Sequence, residues 1–347
     1  MEFSLFNLAS HVDRNLSQAD VLEQMKAMVA IADDGGFDIA WFAEHHFSSY
    51  CVMPSPLTTV AHMAGLTRNL RLGPAVVVMP FYEPVRLIED IFYVDQLTEG
   101  RLVLGLGTGY QPREFDKFGF DIDTRLNRGL EIWDALDAAA RTGVIDFHGK
   151  HVDIDNAALA IGPLQNPIPI FAVGNHPEVR RRILERNATP LCGIGSNPPA
   201  FIGTLKKLLL ETADELGIDH PKVPLAVQRY VFIVDSKRGA LQAAEQVLHH
   251  NRLVMNMRGA DPLMDGPFLQ APSFENEPTA EQMLEYSLIG DADTVAEKIV
   301  SEAREFGVSH LSVFMQFAAM PYAATRKSLE TFCERVIPEV NKSLEQK

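Results

Sequence analysis

A chain of 347 residues that is 46% hydrophobic and 22% charged can bury a substantial core and lies outside the composition of disordered proteins. Its formal net charge of −15 and the lack of any Lys/Arg-rich run exclude nucleic acid as an expected ligand, while a phosphate held on backbone N–H groups stays compatible with an acidic protein. No apolar run is long enough to cross a bilayer, the first residues carry no basic region, and Cys51, Cys192 and Cys333 show no C-x-x-C spacing, so a cytoplasmic protein with reduced thiols and no membrane partner is expected.

Short apolar runs alternate with longer segments of helical period. Residues 3–8 read as a strand and 18–32 as an amphipathic helix closed by Gly35-Gly36. The unit repeats with a strand at 38–43 and a helix opening after Pro54-Ser55-Pro56, then a strand at 71–79 and a helix over Pro84–Leu97. A fourth strand at 101–106 precedes a helix over Arg125–Thr142, and 144–155 alternates like a small hairpin. Residues 168–173, 190–194 and 223–234 are strand-like, each followed by helical period, and 310–314 supplies the last strand. Eight strands in strict alternation with helices predict one domain, a (β/α)8 TIM barrel with insertions. A doubly wound open sheet is the alternative, because periodicity does not show closure. The stretch 251–286 breaks the rhythm with Gly259, Asp261-Pro262, Gly266-Pro267, Pro272 and Pro278, and long connections of this kind are often lids over a site.

The second strand ends in Glu44-His45-His46-Phe47. Strand C-termini line the mouth of a barrel, where active sites lie. Adjacent strand residues point to opposite sides, so one histidine is expected to be catalytic and the other structural. The alternative is that both are rim histidines bonded to carbonyls. A metal site needs further ligands, and His176 is nearly the only other candidate, so no metal is expected. In Gly105-Leu106-Gly107-Thr108-Gly109-Tyr110 a tyrosine stands where the third glycine of the dinucleotide fingerprint would fall, which weakens a Rossmann reading. Those glycines still let the backbone approach a planar ring or a phosphate. Val173-Gly174-Asn175-His176-Pro177-Glu178 combines a strand end, a cap and a first-turn proline, so free N–H groups there could hold a phosphate, or simply begin a capped helix. Arg229, on the seventh strand, either polarises a substrate carbonyl or forms a buried ion pair.

Glu44-His45-His46-Phe47, Met1-x-Phe3 with Phe6, Arg71-Leu72-Gly73-x-Ala75 leading to Met79-Pro80, Pro84-Val85-Arg86, Asp95-Gln96-Leu97 with Gly100-Arg101, and Pro169-Ile170-Phe171 occur in an order that resembles the bacterial-luciferase-like flavin monooxygenases. The resemblance implies reduced FMN as cosubstrate, dioxygen, a small organic substrate and a mobile lid at 251–286. It places His45 near the reactive edge of the flavin and His46 less directly, with Glu44 a candidate to orient a histidine. Flavin contacts would fall on Phe6, on a non-proline cis peptide at Ala75-Val76, and on Gly107, Thr108 and Gly109. The next strand ends would add Gly174, Asn175 and His176, then Ile194 and Gly195. Two departures bear on the phosphate: luciferase has an arginine where this chain has Thr108, and Glu-Ser where it has Asn175-His176. The deazaflavin F420, used by relatives with this barrel, is therefore the alternative cofactor.

The chemistry implied is oxygen addition at flavin C4a and Baeyer–Villiger-type attack on an aldehyde or ketone. Hydride transfer with F420, or a flavin-binding protein without catalysis, are the alternatives. No second nucleotide fingerprint is present to take NAD(P)H, so a separate NAD(P)H:flavin reductase is the expected partner. The resemblance also implies a homodimer through residues 56–66 and Pro84–Leu97.

Overall fold

The strand over Ile39–Phe42 has no solvent face, for all four of its residues are buried. Such a strand needs a partner along each edge and a packed layer on each side, the environment of a parallel barrel ringed by helices. The computed structural model, which describes residues 1–346, has that architecture. In chain order its strands are β1 (Glu2–Asn7), β2 (Ile39–Phe42), β3 (Arg71–Pro74), β4 (Val77–Val78), β5 (Leu104–Gly107), β6 (Val144–His148), β7 (Asp153–Ala158), β8 (Ile170–Ala172), β9 (Thr189–Gly193), β10 (Ala226–Ile233), β11 (Met264–Asp265), β12 (Phe268–Leu269), β13 (Leu288–Gly290) and β14 (His310–Phe314). The helices are α1 (Gln18–Asp34), α2 (Pro56–Ala64), α3 (Pro84–Leu97), α4 (Pro112–Phe118), α5 (Arg125–Thr142), α6 (Pro177–Glu185), α7 (Phe201–Leu216), α8 (Lys237–Met257), α9 (Ala280–Tyr286), α10 (Ala292–Phe306), α11 (Tyr322–Thr331) and α12 (Ile337–Glu345).

The parallel sheet runs in the order β3-β2-β1-β14-β10-β9-β8-β5-β4. β3 and β4 are two halves of one stave, parted at Ala75-Val76, where the peptide bond is cis. β4 pairs with β5, and Leu72 of β3 accepts from Val103 N–H and donates to the Arg101 carbonyl, each at 2.9 Å. The two ends of the path thus meet, and eight staves close the barrel. The expected (β/α)8 fold is the one observed, and the open doubly wound sheet is set aside.

Period two along each stave decides what fills the interior. Ile39 and Trp41 of β2, Phe171 of β8, Leu191 of β9 and Ala226 of β10 form one apolar plug with Val103. The Trp41 and Phe171 rings meet edge to face at 5.1 Å, an arrangement that aromatic quadrupoles favour. Below the plug, Ser4 Oγ and His310 Nε2 are hydrogen-bonded at 2.7 Å. The barrel is therefore closed at its N-terminal end and open only at the C-terminal mouth. Outside it, α1 shows how the ring of helices is held. Ser17 and Asp20 form a capping box at its start, and Val21, Met25, Met28, Val29 and Ala32 bury the apolar stripe that their spacing builds.

Local differences from the sequence reading have physical causes. The fourth stave begins at Leu104 rather than at 101, since residues 101–103 meet β3 only through an isolated bridge between Leu72 and Leu102. The hairpin at 144–155 extends to Ala158, because Val144 and Ile145 pair with Ala158 and Ala157. α4 and β13 are additional elements, too short for a period to register. β13 pairs with Val231–Ile233 of β10. The long connection at 251–286 is also shorter than the turn residues suggest. α8 continues through Met257 and α9 takes Ala280–Tyr286, which leaves residues 258–279. That remainder folds into the β11–β12 hairpin and docks on the loop after β2, where Ser49 N–H donates to the Pro267 carbonyl at 2.7 Å.

Candidate active site

The open mouth of the barrel holds a cavity of about 550 Å3, bounded by strand ends from β1, β2, β4, β5, β8, β9, β10 and β14 and roofed by the end of α8. A second cavity, of about 360 Å3, lies between α1 and α11 and shares only Phe6 and Leu8 with the first. Its other walls carry Met25, Met28 and Met320 and no histidine. The mouth cavity is where the titratable groups converge.

His45 and His46 lie beyond β2, which ends at Phe42, and turn to different surroundings, each ring held by its own carboxylate. His46 Nε2 lies 2.9 Å from Glu44 Oε1, and Glu44 Oε2 accepts from the Val78 N–H at 2.9 Å. Glu44 thereby ties the end of β2 to β4, just beyond the cis bond. Burial pushes its carboxyl above the usual range, against the pull of His46 and the Val78 N–H. The His46 ring is wedged against Phe118, edge to face at 4.8 Å, and does not line the cavity. His45 does line it, at 15% exposure. Its Nδ1 is 3.2 Å from Glu114 Oε1, which also accepts from the His46 N–H at 2.7 Å. The Gln111 side-chain amide lies 2.6 Å from the same Nδ1. A carboxylate can only accept, so we assign the proton to Nδ1, and the Gln111 amide, whose Nε2 makes this contact, is then assigned the flipped orientation in which its oxygen accepts from that N–H. This leaves Nε2 of His45 with a lone pair.

The neighbouring strand ends form a bed for something flat. Ala75 and Val76, on either side of the cis bond, line the cavity together with Gly107, Thr108 and Gly109. A Cβ on Gly107 would lie 2.4 Å from Val76 Cγ2, so this approach of the two staves requires glycine. Gly109 has φ +74°, and a Cβ there would meet Val78 at 2.8 Å. Phe6, Gly174, Asn175 and Gly195 complete the part of the wall that the sequence indicated. A planar heterocycle with an anionic tail fits this set of apolar faces, small residues and free N–H groups.

Besides His46, three of the candidate residues lie elsewhere. His176 caps α6, its Nδ1 accepting from the Glu178 N–H at 3.3 Å, and is outside the cavity wall. Ile194 packs into the core cluster beneath α7, leaving Gly195 to face the cavity. Arg229 points away from the cavity, because Ala226, Gln228 and Tyr230 take the inward positions of β10. It is buried outside the barrel, paired with Glu302 of α10 and donating to the Tyr286 carbonyl. Of its two readings, the structure has the buried ion pair and not the carbonyl-polarising group.

The roof holds groups that sequence reading missed. Tyr50, Tyr110, Tyr230, His250, Asn251 and Arg258 all line the cavity. The Tyr50 hydroxyl and His250 Nε2 are 3.1 Å apart, and His45 packs edge to face on Tyr50 at 5.0 Å. Burial holds the His250 ring neutral, with its pKa lowered to about 3. Burial likewise pushes the hydroxyls of Tyr50 and Tyr230 well above their usual range, so both remain proton donors. One signal was available for Tyr230, its two-residue spacing from Gln228 on a strand. The others come from loops and a helix end, where no local period marks them.

Comparison with known proteins finds relatives of the whole chain and of its fold. An uncharacterised protein of Sinorhizobium fredii is 28% identical over 99% of both chains. The oxygenase component of a flavin-dependent trigonelline monooxygenase from Acinetobacter baylyi is 25% identical over 99% of this chain and 96% of that protein. Among solved structures, the monooxygenase RslO1 from Streptomyces bottropensis superposes with a TM-score of 0.83 at 20% identity, over 97% of this chain and 99% of that one. The oxygenating constituent of 3,6-diketocamphane monooxygenase from Pseudomonas putida, a complex with FMN, gives 0.78 at 22% identity over 98% of each chain. An F420-dependent tetrahydromethanopterin reductase from Methanopyrus kandleri gives 0.70 at 19% identity, over 98% of this chain and 99% of that one. The profile of luciferase-like monooxygenases matches residues 1–310, the span that builds the barrel up to the first residue of its last stave, and the chain therefore belongs to the luciferase-like monooxygenase family.

Proposed function

We propose that this protein is the oxygenase of a two-component system, using reduced FMN and dioxygen on a small aldehyde or ketone. The observation that carries the reading is His45, fixed by Glu114 with its Nε2 lone pair at a cavity floored by Ala75, Val76 and Gly107. Reduced FMN, when bound, supplies the electrons that activate dioxygen. His45 exchanges a proton at Nε2 with the reacting oxygen, a role suited to an imidazole near neutral pH. Glu114 fixes the tautomer and orientation of the ring, and Glu44 with His46 fixes the wall behind it. Gly107 to Gly109 and the Gly174-Asn175 turn offer the N–H groups that would hold the cofactor's phosphate, in the absence of an arginine at position 108. Residues 258–279 close over the mouth and keep water out once substrate is bound. The relative named as an oxygenase component supports a separate NAD(P)H:flavin reductase as partner. α2 and α3 support a homodimer, since Leu66, Tyr93 and Leu97 are exposed on that side at 55%, 54% and 45%.

A second reading, hydride transfer with F420, is favoured by the two departures at the phosphate, Thr108 in the arginine's place and Asn175-His176 in place of Glu-Ser. Anaerobic titration with reduced FMN and with reduced F420 separates the two. Mixing the complexes with isotopically labelled dioxygen and a panel of aldehydes and ketones then tests oxygenation. Tight binding of reduced FMN and label in the product are expected. Selective binding of F420, with no label incorporated from any carbonyl compound, would overturn the proposal.

A further inference from the structure

The roof of the cavity carries a cation that the chain itself does not neutralise. Arg258 follows the last residue of α8, lines the cavity, and lies with its guanidinium 5.9 Å from the centre of the Tyr110 ring. Among the described residues no carboxylate pairs with it, whereas its helix neighbour Arg252 is clipped to Glu277. Shortage of carboxylates is not the cause, since 46 acidic side chains stand against 31 basic ones. Tyr50 and Tyr230, whose hydroxyls burial keeps protonated, line the same cavity. His250, 2% exposed, also lines the cavity, and its Nδ1 has no partner. With Tyr50 donating to Nε2, Nδ1 carries the proton, so the ring offers one neutral donor that needs an acceptor. The acidic groups nearby are already committed: Glu44 to His46 and the Val78 N–H, Glu114 to His45 and the His46 N–H.

We propose that the substrate of this cavity bears a carboxylate, which Arg258 binds while the Tyr50–His250 pair donates a hydrogen bond beside it. The inference deepens the oxygenase reading by naming the charge of its substrate, and it rests on that reading for the identity of the cavity. Arg258 is exposed, and a substrate that covers the mouth removes water from the ion pair and strengthens it. The phosphate of FMN is the other anion the cavity would meet. Arg258 stacks on the same Tyr110 ring that faces His45 at 6.0 Å, which puts its charge at the reacting end.

Calorimetric titration with two matched pairs, benzoate with benzamide and hexanoate with hexanamide, tests the assignment on the protein with and without FMN. In the parent at least one carboxylate binds about tenfold or more tightly than its amide. Arg258→Gln erases that preference, Arg258→Lys keeps part of it, and His250→Phe weakens acid and amide alike. No carboxylate preference in the parent, or a preference that survives Arg258→Gln, overturns the proposal, and an unchanged His250→Phe removes His250 from it. FMN and riboflavin affinities form the second arm. Their ratio stays constant in Arg258→Gln, and a fall in the ratio would assign Arg258 to the cofactor's phosphate and overturn the inference. Failure of the protein to bind FMN at all would sink the oxygenase reading instead, since the carboxylate comparison is also read without cofactor.

Discussion

The Arg229–Glu302 pair offers a direct test of which way β10 faces. Arg229 is 2% exposed and Glu302 8%, and burial is the largest influence on both, pulling the guanidinium down and the carboxyl up from their usual ranges. Their mutual attraction and the Tyr286 carbonyl offset that penalty. Glu302→Ala leaves a buried cation without its partner, at a cost of about 3–5 kcal/mol. With an unfolding entropy of roughly 2.1 cal/mol/K per residue, a chain of 347 residues loses about 4–7 °C of Tm for that cost. The double substitution Arg229→Met with Glu302→Leu removes both charges and recovers most of the loss. Calorimetry gives the stabilities, and turnover at a temperature where all variants are folded gives the functional half. Since Arg229 faces away from the cavity, the double variant turns over within about twofold of the parent. A Glu302→Ala variant within 1 °C of the parent, or a folded double variant without activity, would refute the argument.

Four further outcomes follow from the site. His45→Ala lowers oxygenation by roughly 10²-fold and diverts reducing equivalents to hydrogen peroxide, with little change in flavin affinity, whereas His46→Ala acts mainly through stability; parent-rate oxygenation by His45→Ala reverses the assignment. His250 titrates at 6.5 in the unfolded chain and at about 3 when folded, so between those values unfolding takes up a proton and stability falls as pH is lowered, by up to ~1.4 kcal/mol per unit. His250→Phe removes that share of the slope, and urea denaturation over the same range with parallel slopes would contradict it. Protease cuts within residues 258–279 of the free protein and cuts more slowly with flavin and substrate bound; equal rates deny the segment a gating role. Light scattering at micromolar concentration gives a dimer, and Tyr93→Glu with Leu97→Glu shifts it to monomer, while a monomeric parent removes the α2–α3 interface.

What the sequence makes legible depends on how locally each feature is encoded. The barrel is legible because every βα unit repeats two periods, and Glu44-His45 is legible because three polar residues interrupt an apolar strand end. The direction of Arg229 is hidden because β10 is buried on both faces: Ala226 and Tyr230 inward, Val227 and Val231 outward, with no polar face to set the register. His176 misleads because a histidine before Pro177 has the same spacing whether it binds a phosphate or caps a helix. The roof is hidden for another reason. Tyr50 and His250 are 200 residues apart and meet only when α8 crosses the mouth, so nothing within either segment marks the pair.

The two carboxylates around His45 and His46 divide a task that one could not perform. A single acid bonded to both rings would couple any proton moved at His45 to the wall that carries the cis peptide. Glu44 is spent on His46 and the Val78 N–H, a purely architectural set of bonds at the junction of β2 and β4. Glu114 comes from α4, an element outside the barrel, anchored by the buried Phe115 and ended by Gly119 in the left-handed region. Its oxygen takes the His46 N–H as well as the His45 ring, so the short helix senses where β2 ends and sets the tautomer of the residue that faces the cavity. Placement of His45 therefore depends on the docking of α4, while the bed beneath it depends on Glu44. On the proposed role of His45, proton transfer at its ring then leaves the floor of the cavity undisturbed.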